Sequence, residues 1–152
     1  MENIVFKKNI IQFKEIVDFN YLIKLLNENN FGSVITSNYL DQFILNSTFM
    51  VSNVQKDNAF IDLYDYLNKN YNSEGYNSNL YMFVSFKMGN PSITHTDDYD
   101  VVIIGVHGET VYNLEGTEYR VGVGDLLKIP KGIKHTAISM TPRIVLSYGR
   151  YN

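Results

Sequence analysis

The sequence predicts a mainly β protein, in which an N-terminal segment rich in α-helix precedes a set of antiparallel strands. In the first half of the chain, apolar residues recur every three or four residues, which is helical periodicity. After Leu80 the pattern changes to short β-type runs separated by glycine-containing turns. Seven short strands at this spacing favour an antiparallel sandwich or barrel over a parallel α/β sheet.

The N-terminal half carries the helical signal. Its apolar spacing predicts helices at residues 12–29 and 59–71, and a β-type run between them predicts a strand at residues 47–54. Residues 70–79 are polar and contain Gly and several Asn, so they form the predicted boundary between the two halves.

The C-terminal half carries the strand signal. We expect residues 1–152 to form a single domain, in which residues 1–79 pack on a barrel core made by residues 80–152. The predicted strands of this core are residues 80–88, 99–106, 110–114, 118–121, 125–129, 136–139 and 143–148.

The composition excludes several classes of site and partner. None of the 152 residues is a cysteine, which removes disulfides, zinc–cysteine sites and thiol nucleophiles. The net charge is −3 and no stretch concentrates Lys and Arg, so no nucleic-acid partner is expected. No uncharged run is long and apolar enough to span a bilayer, and the charged N-terminus does not resemble a signal peptide. We therefore expect a soluble cytoplasmic protein.

Three residues of the β half form a candidate metal site. His95 and Asp97 are two residues apart, a spacing that places both side chains on one face of a strand. His135 follows a Pro- and Gly-containing turn, at the start of another predicted strand. Two imidazoles and one carboxylate make a triad that leaves open positions on a metal and suits non-haem Fe(II). Because His-x-Asp alone is a weak pattern, the surrounding residues decide how much weight it carries.

The residues that precede His135 form a pattern of fixed spacing. Gly124-x5-Pro130-x-Gly132-x2-His135 resembles the second conserved motif of the cupin superfamily, with Ser139 in place of its final Asn. In physical terms, the Pro and Gly shape a tight turn that aims the histidine into the barrel.

The residues around His95 add to the resemblance. Gly89-x5-His95-x-Asp97 resembles the first cupin motif, with Asp97 where many cupins have a second His. His-Thr-Asp-Asp-Tyr-Asp-Val at residues 95–101, together with the later Gly-Asp-Leu-x-x-Ile-Pro-x-Gly-x-x-His, is similar to JmjC-type oxygenases, above all to their ribosomal-oxygenase branch. The resemblance covers residues 92–149.

This resemblance implies a double-stranded β-helix, the cupin jelly-roll barrel, as the core of the fold. By position it also implies Fe(II) held by His95, Asp97 and His135, with 2-oxoglutarate as co-substrate. The implied activity is hydroxylation of a C–H bond in a small molecule or a protein side chain.

The chain departs from the family pattern at one position. The family grips the co-substrate carboxylate with a Lys or Arg fifteen residues beyond the first His, and this chain has Thr110 there. Because a dianionic co-substrate needs a cationic partner, Arg143 on the last predicted strand is the expected replacement. Thr110 and Ser92 are expected to add hydroxyl hydrogen bonds. The alternative for Arg143 is a solvated strand residue that follows a turn.

Two further functions remain open from the sequence. The first is a metal-dependent cupin enzyme that does not use 2-oxoglutarate, which the neutral Thr110 favours. The second is a cupin binding module without activity. For the oligomeric state, the hypothesis is a homodimer formed through edge strands. Strand alternation and spacing also predict that Lys134 is exposed and that His107 is a surface residue. Tyr81, Phe83 and Tyr112 are interpreted as packing residues, with lining of the barrel mouth as the alternative.

Overall fold

The computed structural model of the protein describes residues 3–27, 48–89 and 91–150. These residues are mainly β, as predicted from the sequence. The helices are α1 (Phe19–Asn27), a 3-10 turn (Val54–Lys56) and α2 (Ile61–Tyr71). The strands are β1 (Val5–Lys7), β2 (Thr48–Val51), β3 (Ser78–Ser85), β4 (Val101–His107), β5 (Thr110–Leu114), β6 (Thr117–Val121), β7 (Leu126–Ile129), β8 (His135–Ser139) and β9 (Arg143–Arg150).

The strands form two antiparallel sheets. The large sheet has the order β1-β7-β4-β9-β3-β2, and the small sheet has the order β6-β5-β8. The seven strands predicted after residue 80 all exist as β3 to β9, with ends that differ by a few residues. Strands that are far apart in the chain are neighbours in the sheet, as in β4 beside β9, which is the topology expected of a jelly-roll rather than of simple hairpins.

The large sheet is buried on both faces because alternate residues of its central strands face two different cores. Val101 and Ile103 of β4 pack with residues of the small sheet, such as Leu114 and Ala137, and form the core between the two sheets. Their neighbours Val102 and Ile104 face the opposite side. There they meet apolar residues of α1 and α2, which therefore cover the outer face of the large sheet: Leu22, Leu25, Leu63 and Leu67.

The expectation of an α-rich N-terminal half is not supported. In its described part, β1 pairs with β7 and β2 pairs with β3, so both strands extend the large sheet. Helix α1 begins at Phe19 rather than at residue 12. The Asp18 carboxylate caps this start, because it accepts a hydrogen bond from the Tyr21 backbone N–H at 2.9 Å. Ile16, which belongs to the apolar stripe behind that prediction, is 85% exposed.

The other predictions for this half fare better. The predicted helix at residues 59–71 is confirmed as α2, and the predicted strand at residues 47–54 is confirmed as the shorter β2, with residue 47 outside the described part. Residues 28–29, the predicted end of the first helix, also lie outside the described residues. None of the helices in the described ranges is long and apolar enough to cross a membrane.

The turn before β7 is tied to the N-terminus by a buried carboxylate. Asp125 accepts hydrogen bonds from Lys8 Nζ at 2.8 Å, from the Asn9 backbone N–H at 2.9 Å and from the Gly122 backbone N–H at 2.9 Å. Burial acts to raise the pKa of Asp125, but these hydrogen bonds outweigh it and the pKa lies below its ordinary value of 3.8. Asp125 of the Gly-Asp-Leu motif is therefore a structural residue in this fold.

We predict that Asp125→Asn lowers the free energy of unfolding at neutral pH by about 2 kcal/mol, since it removes an ionised acceptor with three donors. A carboxyl group whose pKa is lower in the folded than in the unfolded state stabilises the protein at pH values above its unfolded-state pKa. This contribution is lost as the pH falls through the folded-state pKa. The difference between wild type and variant should therefore be constant from pH 5 to 7 and shrink below about pH 4. Urea unfolding at several pH values measures it, and an undiminished difference in acid would contradict the assignment.

Candidate metal centre and its cavity

The backbone holds His95 and His135 side by side. The His95 N–H donates to the His135 carbonyl at 3.1 Å, and the His135 N–H donates to the His95 carbonyl at 2.9 Å. This isolated antiparallel bridge joins the segment before Asp97 to the start of β8. Residues paired in this way carry their side chains on the same face, and the two imidazole centroids are 4.4 Å apart.

Each imidazole is oriented by the carbonyl two residues before it. His95 Nδ1 lies 2.8 Å from the Ile93 carbonyl oxygen, and His135 Nδ1 lies 2.9 Å from the Ile133 carbonyl oxygen. Because a carbonyl oxygen only accepts, each Nδ1 carries the proton and each Nε2 keeps a free lone pair. Both Nε2 atoms point at Asp97, at 3.8 Å from Oδ1 for His95 and 3.5 Å from Oδ2 for His135.

The loop that carries Asp97 is fixed to the Pro130–Gly132 turn. The Gly132 N–H donates to the Asp97 carbonyl at 3.0 Å, and the Lys131 N–H donates to Asp100 Oδ1 at 2.8 Å. Lys128 Nζ forms an ion pair with the second oxygen of Asp100 at 2.8 Å. The turn of the second motif therefore positions all three members of the triad.

The triad fits a divalent metal ion. One ligand atom from each of His95, Asp97 and His135 can be chosen so that all three lie within 4.8 Å of one another. Two neutral imidazole nitrogens and one carboxylate oxygen are the donor set that suits Fe(II) and related first-row metals. The His135 side chain is 6% exposed and that of His95 is 49% exposed, so one side of the site is closed and the other is open to a ligand.

The open side faces a cavity of about 500 Å³ between the two sheets. Tyr81, Phe83 and Tyr112 line it, which favours the alternative of mouth-lining residues over that of packing residues alone. The remaining lining residues are Thr48, Met50, Ser92, His95, Asp97, Tyr99, Val101, Ile103, His135, Ala137, Arg143, Val145, Ser147 and Gly149.

A buried arginine lies in the same cavity. Arg143 is 4% exposed, which contradicts the alternative of a solvated strand residue. Its Nη1 donates to Thr110 Oγ1 at 3.1 Å and its Nε donates to Ser85 Oγ at 3.3 Å. Within the described ranges, no carboxylate forms an ion pair with it. A buried cation that contacts only neutral groups is a place where an anionic ligand gains free energy.

The fold has counterparts among solved structures. The X-ray structure of Escherichia coli YcfD aligns with a TM-score of 0.77 at 17% identity, covering 99% of this chain and 50% of that protein. A second structure of the same protein, described as a ribosomal oxygenase in complex with cobalt and succinic acid, aligns with a TM-score of 0.74 at 19% identity. This alignment covers 99% of this chain and 49% of that protein. The chain has the fold of the part of YcfD with which it aligns. It spans about half the length of YcfD. No protein-family model and no curated protein sequence matches it.

The likeness to YcfD concerns the fold, and it agrees with the antiparallel β architecture predicted from the sequence. Thr110 occupies the position at which the family that the sequence resembles has a Lys or Arg, and Arg143 Nη1 of β9 lies 3.1 Å from its Oγ1.

Ser92 lies elsewhere in the cavity. Its Oγ accepts a hydrogen bond from the Ala137 N–H at 2.9 Å and lies 3.3 Å from Thr136 Oγ1, so it holds the segment before His95 against β8. It makes no hydrogen bond with Arg143 within the described part of the chain. A contact between Ser92 and the co-substrate stays a prediction.

Two residues outside the triad were also assigned from the sequence. Lys134 is exposed, as predicted. His107 lies at the end of β4 beside the Gly108 turn and keeps partial exposure, and its ring also meets Phe19 of α1 edge-on with centroids 5.0 Å apart. The register between β4 and β9 shifts between Gly105 and His107, and such a bulge redirects the following side chain.

Sequence reasoning missed Ser85, which contacts Arg143. Ser85 follows Tyr81 and Phe83 at two-residue spacing on β3, so strand alternation could have placed it on the same face as those two residues. Burial raises the pKa of Tyr112, and the neighbouring Arg143 opposes that rise only in part. The Tyr112 hydroxyl therefore stays protonated beside the guanidinium.

Proposed function

We propose that this protein is an Fe(II)- and 2-oxoglutarate-dependent oxygenase that hydroxylates a C–H bond of a small molecule or a protein side chain. The observation that carries the proposal is the buried Arg143, which opens onto the same cavity as the His95, Asp97 and His135 triad. A metal triad alone fits many cupin enzymes, whereas a metal triad with a buried cation in one cavity suits a ligand with two acidic ends.

The strand register supports a ligand that spans the cavity. On the small sheet His135 pairs with Leu114, and Ser139 pairs with Thr110. The triad and the arginine subsite are thus four strand residues apart, about 13 Å between backbone positions. The side chains of His135 and Arg143 shorten this distance from the two ends.

The residues have separate roles in this proposal. Arg143 binds the distal carboxylate of 2-oxoglutarate, and the triad holds the metal with its open side toward the cavity. Tyr81, Phe83 and Tyr99 exclude water from the space in which the substrate is oriented. When bound, Fe(II) and 2-oxoglutarate supply the activation of O₂ and the electrons for hydroxylation. One further YcfD structure of the same fold was solved with cobalt and 2-oxoglutarate.

Anaerobic titration of 2-oxoglutarate into the Fe(II)-loaded protein tests the proposal. We expect a weak visible charge-transfer band that saturates with 2-oxoglutarate, and slow formation of succinate when O₂ is admitted. Iron binding without the band would contradict the proposal and favour a cupin enzyme that does not use 2-oxoglutarate. Failure to bind any divalent metal would favour a binding module without activity.

A further inference from the structure

A row of three polar side chains crosses three neighbouring strands along one wall of the cavity, from the exposed Thr48 on the edge strand to the buried Arg143. Thr48 of β2 pairs directly with Ser85 of β3, and Ser85 pairs directly with Arg143 of β9. Directly paired residues of antiparallel strands carry their side chains on the same face, so the three side chains stand in line. The cavity is lined by the first and last of them.

The hydrogen bond between Arg143 and Ser85 has a fixed direction, and it leaves the Ser85 hydroxyl able to donate to Thr48. A guanidinium can only donate, so Ser85 Oγ accepts from Arg143 Nε at 3.3 Å. The Ser85 proton is then free to reach Thr48 Oγ1, which is 2.5 Å away. Ser85 is thereby held in the rotamer that receives the guanidinium, with Thr48 as its support.

The guanidinium is therefore fixed between the two sheets. Ser85 belongs to the large sheet and holds Nε, while Thr110 belongs to the small sheet and holds Nη1. A guanidinium has five N–H groups in one plane, and fixing two of them sets the direction of the rest. Arg143 lines the cavity, so the N–H groups that Ser85, Thr110 and Tyr112 do not engage are the ones that a carboxylate in the cavity would bind.

We propose that Ser85 is a positioning residue for anion binding, which acts by orienting Arg143 and is itself supported by Thr48. This inference rests on the proposed function, because it assumes that the anion is the distal carboxylate of 2-oxoglutarate. Without Ser85 the guanidinium keeps its charge and its neighbours Thr110 and Tyr112, but it loses the contact that fixes Nε and with it the orientation of its plane. A misdirected fork loses the bidentate geometry that makes Arg–carboxylate pairs strong.

Ser85→Ala tests the proposal. The dissociation constant of 2-oxoglutarate for the Co(II)-loaded variant, measured by calorimetry, should rise about 10-fold, while the affinity for Co(II) itself is unchanged. The apparent KM for 2-oxoglutarate in succinate formation should rise by a similar factor, with kcat largely retained. Ser85→Thr keeps the hydroxyl and should restore most of the affinity.

Ser78→Ala is the matched control for a loss of stability. Ser78 is also a buried serine of β3, and its Oγ lies 2.7 Å from Asn68 Oδ1 and 2.9 Å from the Tyr64 hydroxyl. It lies at the other end of the strand, so its loss should lower the unfolding midpoint without changing 2-oxoglutarate binding. Equal affinities in Ser85→Ala and wild type would overturn the role of Ser85. Absence of 2-oxoglutarate binding in the wild type would instead overturn the proposed function.

Discussion

His135→Ala is expected to weaken divalent metal binding by at least about 100-fold and to leave the fold intact. His135 supplies one of three ligand atoms, and its Nε2 faces Asp97 from the closed side of the site. Its structural role is carried by main-chain atoms, because the bridge to His95 uses backbone N–H and carbonyl groups that alanine retains. The variant therefore separates metal binding from folding.

The measurement is the affinity for Co(II) or Fe(II) under anaerobic conditions, with the far-UV circular dichroism of each variant as the test of fold. His107→Ala is a matched control, since it removes a histidine that packs against Phe19 and takes no part in the triad. It should keep the metal affinity of the wild type. Unchanged affinity in His135→Ala would contradict the assignment of the metal centre.

The grouping of His95, Asp97 and His135 was predictable in part because some of its geometry is encoded locally. The glycine and proline of the second motif shape the turn before His135. The strand predicted for His95 and Asp97 is absent, and the two residues lie in a loop between β3 and β4. The structure adds the backbone bridge between the two histidines, which joins segments separated by 40 positions. Such pairing depends on sheet register, and register is set by the whole fold.

The dependence on sheet register also explains what the sequence did not predict. Arg143 was proposed because an anionic co-substrate requires a cation. Its contacts with Thr110 and Ser85 were not predicted, because these residues lie on strands that become neighbours of Arg143 only in the folded protein. Helix α1 was placed too early because Ile16 fits the helical period and yet faces solvent. Periodicity reports which residues are apolar, whereas tertiary packing decides which of them are buried.

Arg143→Ala is expected to abolish detectable 2-oxoglutarate binding, a loss of about 100-fold or more, while the metal affinity is kept. The guanidinium is the cation that faces the cavity from the side opposite the triad, and a carboxylate in that space has no substitute for its bidentate hydrogen bonds. Arg143→Lys keeps the charge but cannot contact Ser85 and Thr110 with two fixed donors, so it should recover only part of the affinity.

A double variant tests whether positive charge at this location is sufficient for binding. Because Arg143 Nη1 lies 3.1 Å from Thr110 Oγ1, a cation placed at position 110 reaches the same part of the cavity. The double variant Arg143→Ala with Thr110→Lys should therefore bind 2-oxoglutarate more tightly than Arg143→Ala alone, in the space that the smaller residue leaves on β9. Recovery would show that charge at this location matters rather than the identity of the strand that supplies it. If the double variant folds and holds metal but binds no 2-oxoglutarate, while the wild type does, then the distal carboxylate is bound elsewhere in the cavity.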